Sequence, residues 1–355
     1  MTLSRLKVLL ACSTQGCHGG MEATVLALAQ WLKKQPEYEV RVLFKLAGKA
    51  SLKDLDKHCK SIGIRPHIVA PGSLQLLKNI AWADIIHANN APPDILFPAR
   101  LLDKCVALTI HHQGHSSNPI RSLVWRLGSF LADIRCYNSQ FVWNIWEPKS
   151  KRQGSYLIPT MPALPPKQGT LESRCGFFFI SRWIENKGAR ILLKAYQNAN
   201  IDREKWPLTM AGTGPLVDEA SAFIKENDLN TVRLQGYLSE EEKYNEIRKS
   251  KWLVAPPHTA EDLGLTPIEA RSQGIPSIIT RDGGLPESAG ASAITCTPGS
   301  VESLARALER ATHLSESEYI QRSQEAHESL KEYLYPLSFY KKLYSTLIDK
   351  GDSVV

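Results

Sequence analysis

Two carboxylates, Glu261 and Glu269, stand eight positions apart in A-P-P-H-T-A-E-D-L-G-L-T-P-I-E-A, which begins at Ala255. The first falls in a loop after the apolar run Trp252 to Ala255. The second falls just inside the helix that follows. Gly264 between them permits a close backbone approach, and amides near a helix N-terminus favour an anion. Carboxylates that accept hydroxyl hydrogen bonds, set beside amides that take an anion, suit a ligand carrying both hydroxyls and phosphate. A nucleotide sugar is such a ligand.

Cations lie at a comparable place upstream. F-F-F-I-S-R-W-I-E-N-K-G (177–188) puts Arg182 and Lys187 directly after a strand. A guanidinium and an ammonium there fit a diphosphate, one by bidentate bonds and the other as a point charge; the alternative is a solvated loop. A-G-T-G-P (211–215) ends the next strand, and its glycines fit a tight turn approached by a ligand or by the neighbouring loop. His111, His112 and His115 close a strand of the first half. A hydrogen bond from His111 to a sugar hydroxyl or phosphate is the favoured reading, a structural role the next. Metal is disfavoured because no further Cys or His follows at zinc spacing. Asp54-Leu55-Asp56 lies on a helix with apolar spacing at Leu52, Leu55, Cys59 and Ile62, which makes it a solvated face.

These residues are positioned by two series of alternating strands and helices. The first opens with the strand Leu6 to Ala11, the loop Ser13 to Gly20 and the amphipathic helix Met21 to Lys34. It continues in the same alternation to a strand at Ile134 to Asn138. The dinucleotide pattern G-x-G-x-x-G is absent, and Lys45 stands where an acidic ribose ligand would end the second strand. Proline-rich Tyr156 to Pro166 is the connector. The second series runs from the strand Phe177 to Ser181 to the helix Ser300 to Thr312. A helical tail, Glu316 to Leu347, breaks near Pro336. Strands separated by helices imply parallel sheets covered on both faces, with ligands beyond the C-terminal strand ends.

The chain has 355 residues, more than one core usually spans, so two domains are expected. Apolar content of 43% and charge of 22% fit an ordinary globular protein. Its seven cysteines are scattered, with no C-x-x-C pair, and read as reduced thiols of a cytoplasmic protein. V-L-L-A-C (8–12) is too short an apolar run for a lipoprotein signal, and no stretch is long enough to span a membrane. Residues 1–165 hold 20 Lys and Arg against 10 Asp and Glu, a balance of +10 within a whole-chain net charge of +7. Such asymmetry points to an anionic membrane surface or a phosphorylated acceptor, since no nucleic-acid motif is present. The helix Ile120 to Leu131 is expected to pack on the core, whereas residues 146–152, with Trp146, Lys149, Lys151 and Arg152, read as a basic aromatic patch for a membrane.

On these motifs the chain resembles, over nearly its whole length, a family 4 glycosyltransferase of the GT-B fold. E-D-L-G-L-T-P-I-E resembles the E-x7-E signature, R-W-I-E-N-K-G the R-x-x-x-x-K-G phosphate clamp, and Gly19-Gly20-Met21-Glu22 the N-terminal Gly-Gly-x-Glu loop. The resemblance implies two Rossmann-like domains facing across a cleft: residues 1–160 for the acceptor, 161–335 for the nucleotide sugar, and 336–355 as a helix returning to the first domain. It implies retaining, metal-independent transfer of a sugar from a UDP- or GDP-linked donor, without another cofactor, to a saccharide or lipid-linked acceptor. The setting would be bacterial polysaccharide or glycoconjugate synthesis, in the cytoplasm or at the inner face of the membrane. Glu269 would hold the ribose and Glu261 the donor sugar. Leu263, Gly264, Leu265 and Thr266 would line sugar and phosphate. Arg182 and Lys187 would neutralise the leaving diphosphate. Gly19, Gly20 and Gly212 would approach the donor, and His111 would contact its sugar. Leu263, Arg271 and Gln273 depart from the family's common pattern, where donor preference could be set. The other classes weighed are a non-catalytic GT-B subunit and a nucleotide-sugar isomerase.

Overall fold

A computed structural model describes residues 5–16, 19–46, 53–114, 118–159, 161, 164–171 and 173–352. The chain divides into two compact units, Met1–Ala163 with Leu334–Val355, and Leu164–Tyr333.

The first unit alternates β1 (Leu6–Thr14), α1 (Gly20–Lys33), β2 (Tyr38–Leu46), α2 (Lys53–Ser61), β3 (His67–Val69), α3 (Leu74–Trp82), β4 (Ile85–Asn89), α4 (Pro93–Leu101), β5 (Cys105–Ile110), α5 (Pro119–Ser129), β6 (Ile134–Tyr137), α6 (Gln140–Trp146) and β7 (Ser155–Leu157). The second contains β8 (Phe177–Ile180), a 3-10 turn (Glu185–Lys187), α7 (Ala189–Asn198), β9 (Leu208–Ala211), α8 (Val217–Glu226), β10 (Val232–Gly236), α9 (Glu240–Lys249), β11 (Trp252–Ala255), α10 (Leu265–Ser272), β12 (Ser277–Thr280), α11 (Leu285–Ala289), β13 (Ile294–Cys296), α12 (Val301–Thr312) and α13 (Glu316–Tyr333). A last helix, α14 (Ser338–Asp352), belongs to the first unit.

Both sheets are parallel, in the orders β3-β2-β1-β4-β5-β6-β7 and β10-β9-β8-β11-β12-β13. Central strands of such sheets are buried on both faces, which is why they read as unbroken apolar runs. Alternate residues divide between the two faces. Val8 and Leu10 join Val25, Phe44 and Tyr344, whereas Leu9 and Ala11 join Ile86, Leu96 and Val106. In the second unit Phe177 and Phe179 pack with Trp183 and Trp252, and Phe178 packs opposite with Leu253 and Ile275.

The returning helix α14 completes the first core. Tyr340, Leu343, Tyr344 and Leu347 are buried, and Tyr344 Oη lies 2.7 Å from His87 Nδ1. His87 Nε2 in turn lies 2.7 Å from Thr109 Oγ1. Burial, with His111 nearby, pushes the His87 pKa down to about 3, so the ring is neutral.

Several expectations change. β7 extends the first sheet into the proline-rich connector, because Tyr156 aligns with Cys136 of β6. α6 follows β6, where the sequence reading assigns no element, and is capped by Ser139, whose side chain accepts from Val142 N. In the presumed membrane patch of residues 146–152, Trp146 and Glu147 are buried, whereas Lys149 and Lys151 are exposed. Trp146 is buried and donates to His112 O at 2.7 Å. Glu147 is buried too, and Tyr137, Trp143 and Arg152 donate to it at 2.9, 2.8 and 2.7 Å. Burial works against that carboxylate, but the bonds from Arg152, Trp143 and Ser155 hold its pKa down at about 2. Conversely, α5 was expected to pack its apolar side inward and leaves Ile120, Leu123 and Leu127 exposed.

Six described cysteines are free thiols. Cys12, Cys59, Cys136 and Cys296 are buried, Cys105 is half-buried, Cys175 is exposed, and Cys17 lies outside the described residues. Burial pushes the Cys136 and Cys296 thiols up to about 12. Among the described residues no helix is long and apolar enough to cross a membrane.

Candidate functional site

In the second sheet the chain moves outward from β8 through β9 to β10, then restarts at β11 on the other side of β8. That reversal leaves the crevice at which ligands of open parallel sheets bind, beyond the strand C-termini. The loops leaving β8 and β11 carry Arg182, Lys187 and Glu261.

These loops are joined to each other. Gly188 adopts φ +81°, and an added Cβ would lie 2.0 Å from Pro256 O, so only glycine allows the approach. His258 N donates to Asn186 O at 3.2 Å, and Asn186 Nδ2 to Thr259 Oγ1 at 3.2 Å. Across this seam Lys187 Nζ meets Glu261 Oε1 at 2.5 Å, each side chain about one-fifth exposed. Arg182 is exposed at the end of β8.

Glu261 is held from behind. Gly284 N donates to Glu261 O at 2.7 Å, and a Cβ on Gly283 would lie 2.3 Å from that carbonyl. The chain then turns through buried Leu263 and Gly264, the residue preceding α10. Gly264 has φ +86°, and its Cα faces Leu285, where a Cβ would come within 2.5 Å. Half-buried Leu265 and Thr266 begin the helix.

One turn further, Glu269 is buried, and its Oε1 lies 2.9 Å from Lys243 Nζ of α9. Lys243 also reaches both carboxylate oxygens of Glu240, at 2.8 and 2.9 Å. Burial raises the Glu269 carboxyl pKa against the pull of Lys243. The Lys243 ammonium, opposed by burial, is held above its ordinary value by Glu269 and Glu240. Sequence reasoning missed Lys243. Its only local signal was a cation one turn into a helix that begins S-E-E-E.

Gly212 and Gly214 follow β9. A Cβ on Gly212 would lie 1.8 Å from Ser181 O, and one on Gly214 2.4 Å from Trp183 O. The Gly212 amide donates to Gly236 O at 2.6 Å. The neighbouring backbone therefore accounts for both glycines.

Arg271 and Gln273 turn away from this crevice. The Arg271 guanidinium is buried, donating to Ala326 O at 3.2 Å, Ser288 O at 2.8 Å and Ser329 Oγ at 2.9 Å. Gln273 is buried as well, donating to Pro165 O at 3.1 Å and accepting from Arg248 Nε at 3.0 Å. Both tie α10 to the rest of the unit, which corrects their reading as positions that set ligand preference.

The first unit shows the same reversal between β1 and β4. After β1, Gly19 precedes α1 and its amide donates to Glu22 Oε2 at 3.3 Å; Gly20 opens the helix. The buried Glu22 carboxylate also accepts from Thr14 Oγ1 at 2.8 Å, so the acid of Gly-Gly-x-Glu braces its own loop. After β5, His111 Nε2 lies 2.9 Å from Asn89 Oδ1, and the His111 amide donates to Asn90 Oδ1 at 3.0 Å. Asn90 holds the left-handed conformation, φ +60°. Both asparagines were missed because N-N after a strand looks like any turn. Burial, with His112 nearby, lowers the His111 pKa to about 4. A neutral ring that donates from Nε2 to Asn89 keeps Nδ1 as an acceptor. His112 Nδ1 accepts from Gly114 N at 2.8 Å, and His115 lies outside the described residues. Asp56 is exposed and pairs with Lys60 one turn on, as a solvated face does. Lys45 is buried and pairs with Asp94.

HepE of Anabaena, solved with UDP, matches 97% of this chain and 100% of its own at TM-score 0.80 and 15% identity. That likeness establishes the fold: two parallel-sheet Rossmann-like units of GT-B glycosyltransferase structures with a C-terminal helix. By sequence, an uncharacterized glycosyltransferase of Methanocaldococcus jannaschii is 29% identical over 31% of this chain and 29% of its own length. The O-antigen chain mannosyltransferase C of Escherichia coli is 31% identical over 26% of this chain and 24% of its own length. The chain thus spans less than a third of either curated relative. Residues 162–329, which carry Arg182, Lys187, Glu261 and Glu269, match the family described as glycosyl transferases group 1.

Proposed function

We propose that the protein transfers a sugar, hexosyl or N-acetylhexosaminyl, from a UDP- or GDP-linked donor to a saccharide or lipid-linked acceptor, retaining the anomeric configuration and using no metal. The observation that carries this reading is the Lys187–Glu261 contact at the reversal of the second sheet. It puts a cation for phosphate and an acceptor for sugar hydroxyls at one point.

In this reading the diphosphate takes over Lys187 and engages exposed Arg182, and the amides from Leu263 to Leu265 meet phosphate and sugar oxygens. Glu261, released from Lys187, accepts from the sugar; Glu269 accepts from the ribose hydroxyls. As the bond between the anomeric carbon and the phosphate oxygen breaks, the two cations stabilise the charge that develops on the diphosphate. Charge stabilisation of that kind is commonly the largest catalytic contribution. The acceptor oxygen bonds to the anomeric carbon on the face the phosphate leaves, and its proton passes to the departing phosphate oxygen. His111, neutral at pH 7, accepts a sugar hydroxyl rather than a reaction proton. HepE binding UDP and the mannosyltransferase of E. coli support a nucleotide-sugar donor.

Incubation with labelled UDP- and GDP-sugars and candidate acceptors tests the reading. Nucleoside diphosphate release that persists in EDTA, with the donor's anomeric configuration in the product by NMR, is the expected result. No release from any donor would overturn it, inversion would overturn retention, and loss in EDTA would overturn metal independence.

A further inference from the structure

The large apolar side chains left exposed are concentrated in one place. Among the described residues, nine of the twelve stand on α3, α4 and α5 or at their C-terminal ends. These three helices are neighbours in space, α3 on α4 and α4 on α5. Leu74 is 77% exposed, Leu101 86%, Ile120 70% and Phe130 64%. A lone exposed leucine is ordinary, but a cluster of this size marks a contact surface.

The pattern on α5 is directional. Ile120, Leu123, Leu127 and Phe130 recur at spacings of three and four, which makes one stripe along the helix. The other side is the packed one: a Cβ on Gly128 would come within 3.3 Å of Leu96 on α4. The helix carries no acid. Arg121 and Arg126 lie over the rings of Trp125 and Trp146, at 4.8 and 5.9 Å.

The charge around the stripe is mostly positive. Residues 73–152 hold nine Lys and Arg against five Asp and Glu. Four of those acids have partners within the chain: Asp84 accepts from Lys7 N, Asp94 pairs with Lys45, Asp133 with Arg100, and Glu147 is buried against Arg152. Of the five, Asp84 and Asp103 are exposed, as are the cations Lys78, Arg121, Lys149 and Lys151.

We propose that the α3–α4–α5 face seats in the interfacial layer of an anionic bilayer, with its leucines and Phe130 below the headgroups and its lysines and arginines among the lipid phosphates. An apolar stripe flanked by basic residues has this interfacial character, and the cations add attraction to negative lipid. A second copy fits less well, because a two-fold contact would set the same positive excess against itself. The proposal stands apart from the transfer reaction and is measured without it.

The test is sedimentation of the full chain with vesicles of phosphatidylcholine, with and without phosphatidylglycerol. Pelleting with phosphatidylglycerol vesicles, at least about tenfold weaker with phosphatidylcholine alone and reversed by high salt, is expected. Leu123→Glu with Leu127→Glu should abolish pelleting at an unchanged melting temperature, because both side chains are already exposed. Arg121→Gln should weaken pelleting and reduce its salt dependence. Absence of pelleting, or pelleting unaffected by the double substitution, overturns the proposal. A concentration-dependent dimer that the double substitution dissolves, without vesicle binding, assigns the face to a second copy instead.

Discussion

Lys243 Nζ stands 2.9 Å from Glu269 Oε1, in a buried contact between α9 and α10 that Glu240 closes from the solvent side. The carboxylate read as the ribose acceptor is thus already paired. Lys243 compensates its burial and fixes its direction through one of the two carboxylate oxygens.

Lys243→Met removes that compensation. Glu269, whose pKa burial already raises, should move further up and become neutral in more of the protein. Its folded pKa lies above its unfolded value, so its contribution to stability is full at low pH and lost as pH rises through the folded pKa. Donor binding needs the opposite, ionised form. Donor affinity of the wild type should therefore fall on acidification at a higher pH than an ordinary carboxylate would give. In Lys243→Met that fall should shift upward, and Lys243→Arg should restore part of it. Calorimetric titration of nucleoside diphosphate against pH measures this; identical profiles for all three proteins would remove Lys243 from the site.

Lys187→Ala should lower kcat by about a hundredfold or more, the scale for loss of one charge-stabilising group. The side chain is partly exposed, so the melting temperature should change little. Steady-state kinetics with thermal unfolding decide it, and undiminished turnover would contradict the place given to Lys187.

How far the sequence could be read shows in particular residues. Trp252–Ala255 has the bounds its sequence predicts, and Phe177–Ile180 and Val301–Thr312 each differ from theirs by one residue. The strands are short apolar runs with a single reading. Lys187 and Glu261 were each legible as candidates, but their contact joins positions 74 apart. The Lys243–Glu269 contact spans 26 positions and left no local trace. Periodicity placed the apolar residues of α5 on one stripe, yet it does not say which side of a helix faces the core. Arg271 shows the converse. Its departure from the family's common pattern beside Glu269 marked a place where donor preference could be set, whereas its side chain leaves the helix toward α13.

Arg271→Met should cost about 3 kcal/mol of stability, because it strands buried carbonyls that the guanidinium satisfies. Relative rates with different nucleotide sugars should stay as they are. Unchanged stability with altered donor preference would return Arg271 to the ligand.

Acid should act on the first unit through its histidines. His87 and His111 are depressed to about 3 and about 4 by burial, far below an unfolded histidine. The unfolded chain thus binds protons that the folded one refuses, and stability present at neutral pH is lost from about pH 6.5 down toward pH 3. His87→Gln should flatten that loss, as followed by denaturant unfolding at stepped pH. A slope equal to the wild type's would mean that His87 does not carry it.

The docking of α14 has a consequence for biosynthesis. A ribosome releases β1 to β7 well before Tyr340, Tyr344 and Leu347, which close their core. In between it releases residues 164–333, a continuous segment whose own cores draw on no later residue. The segment made second can therefore finish folding first, while the one made first waits on the exit tunnel with one wall of its interior uncovered.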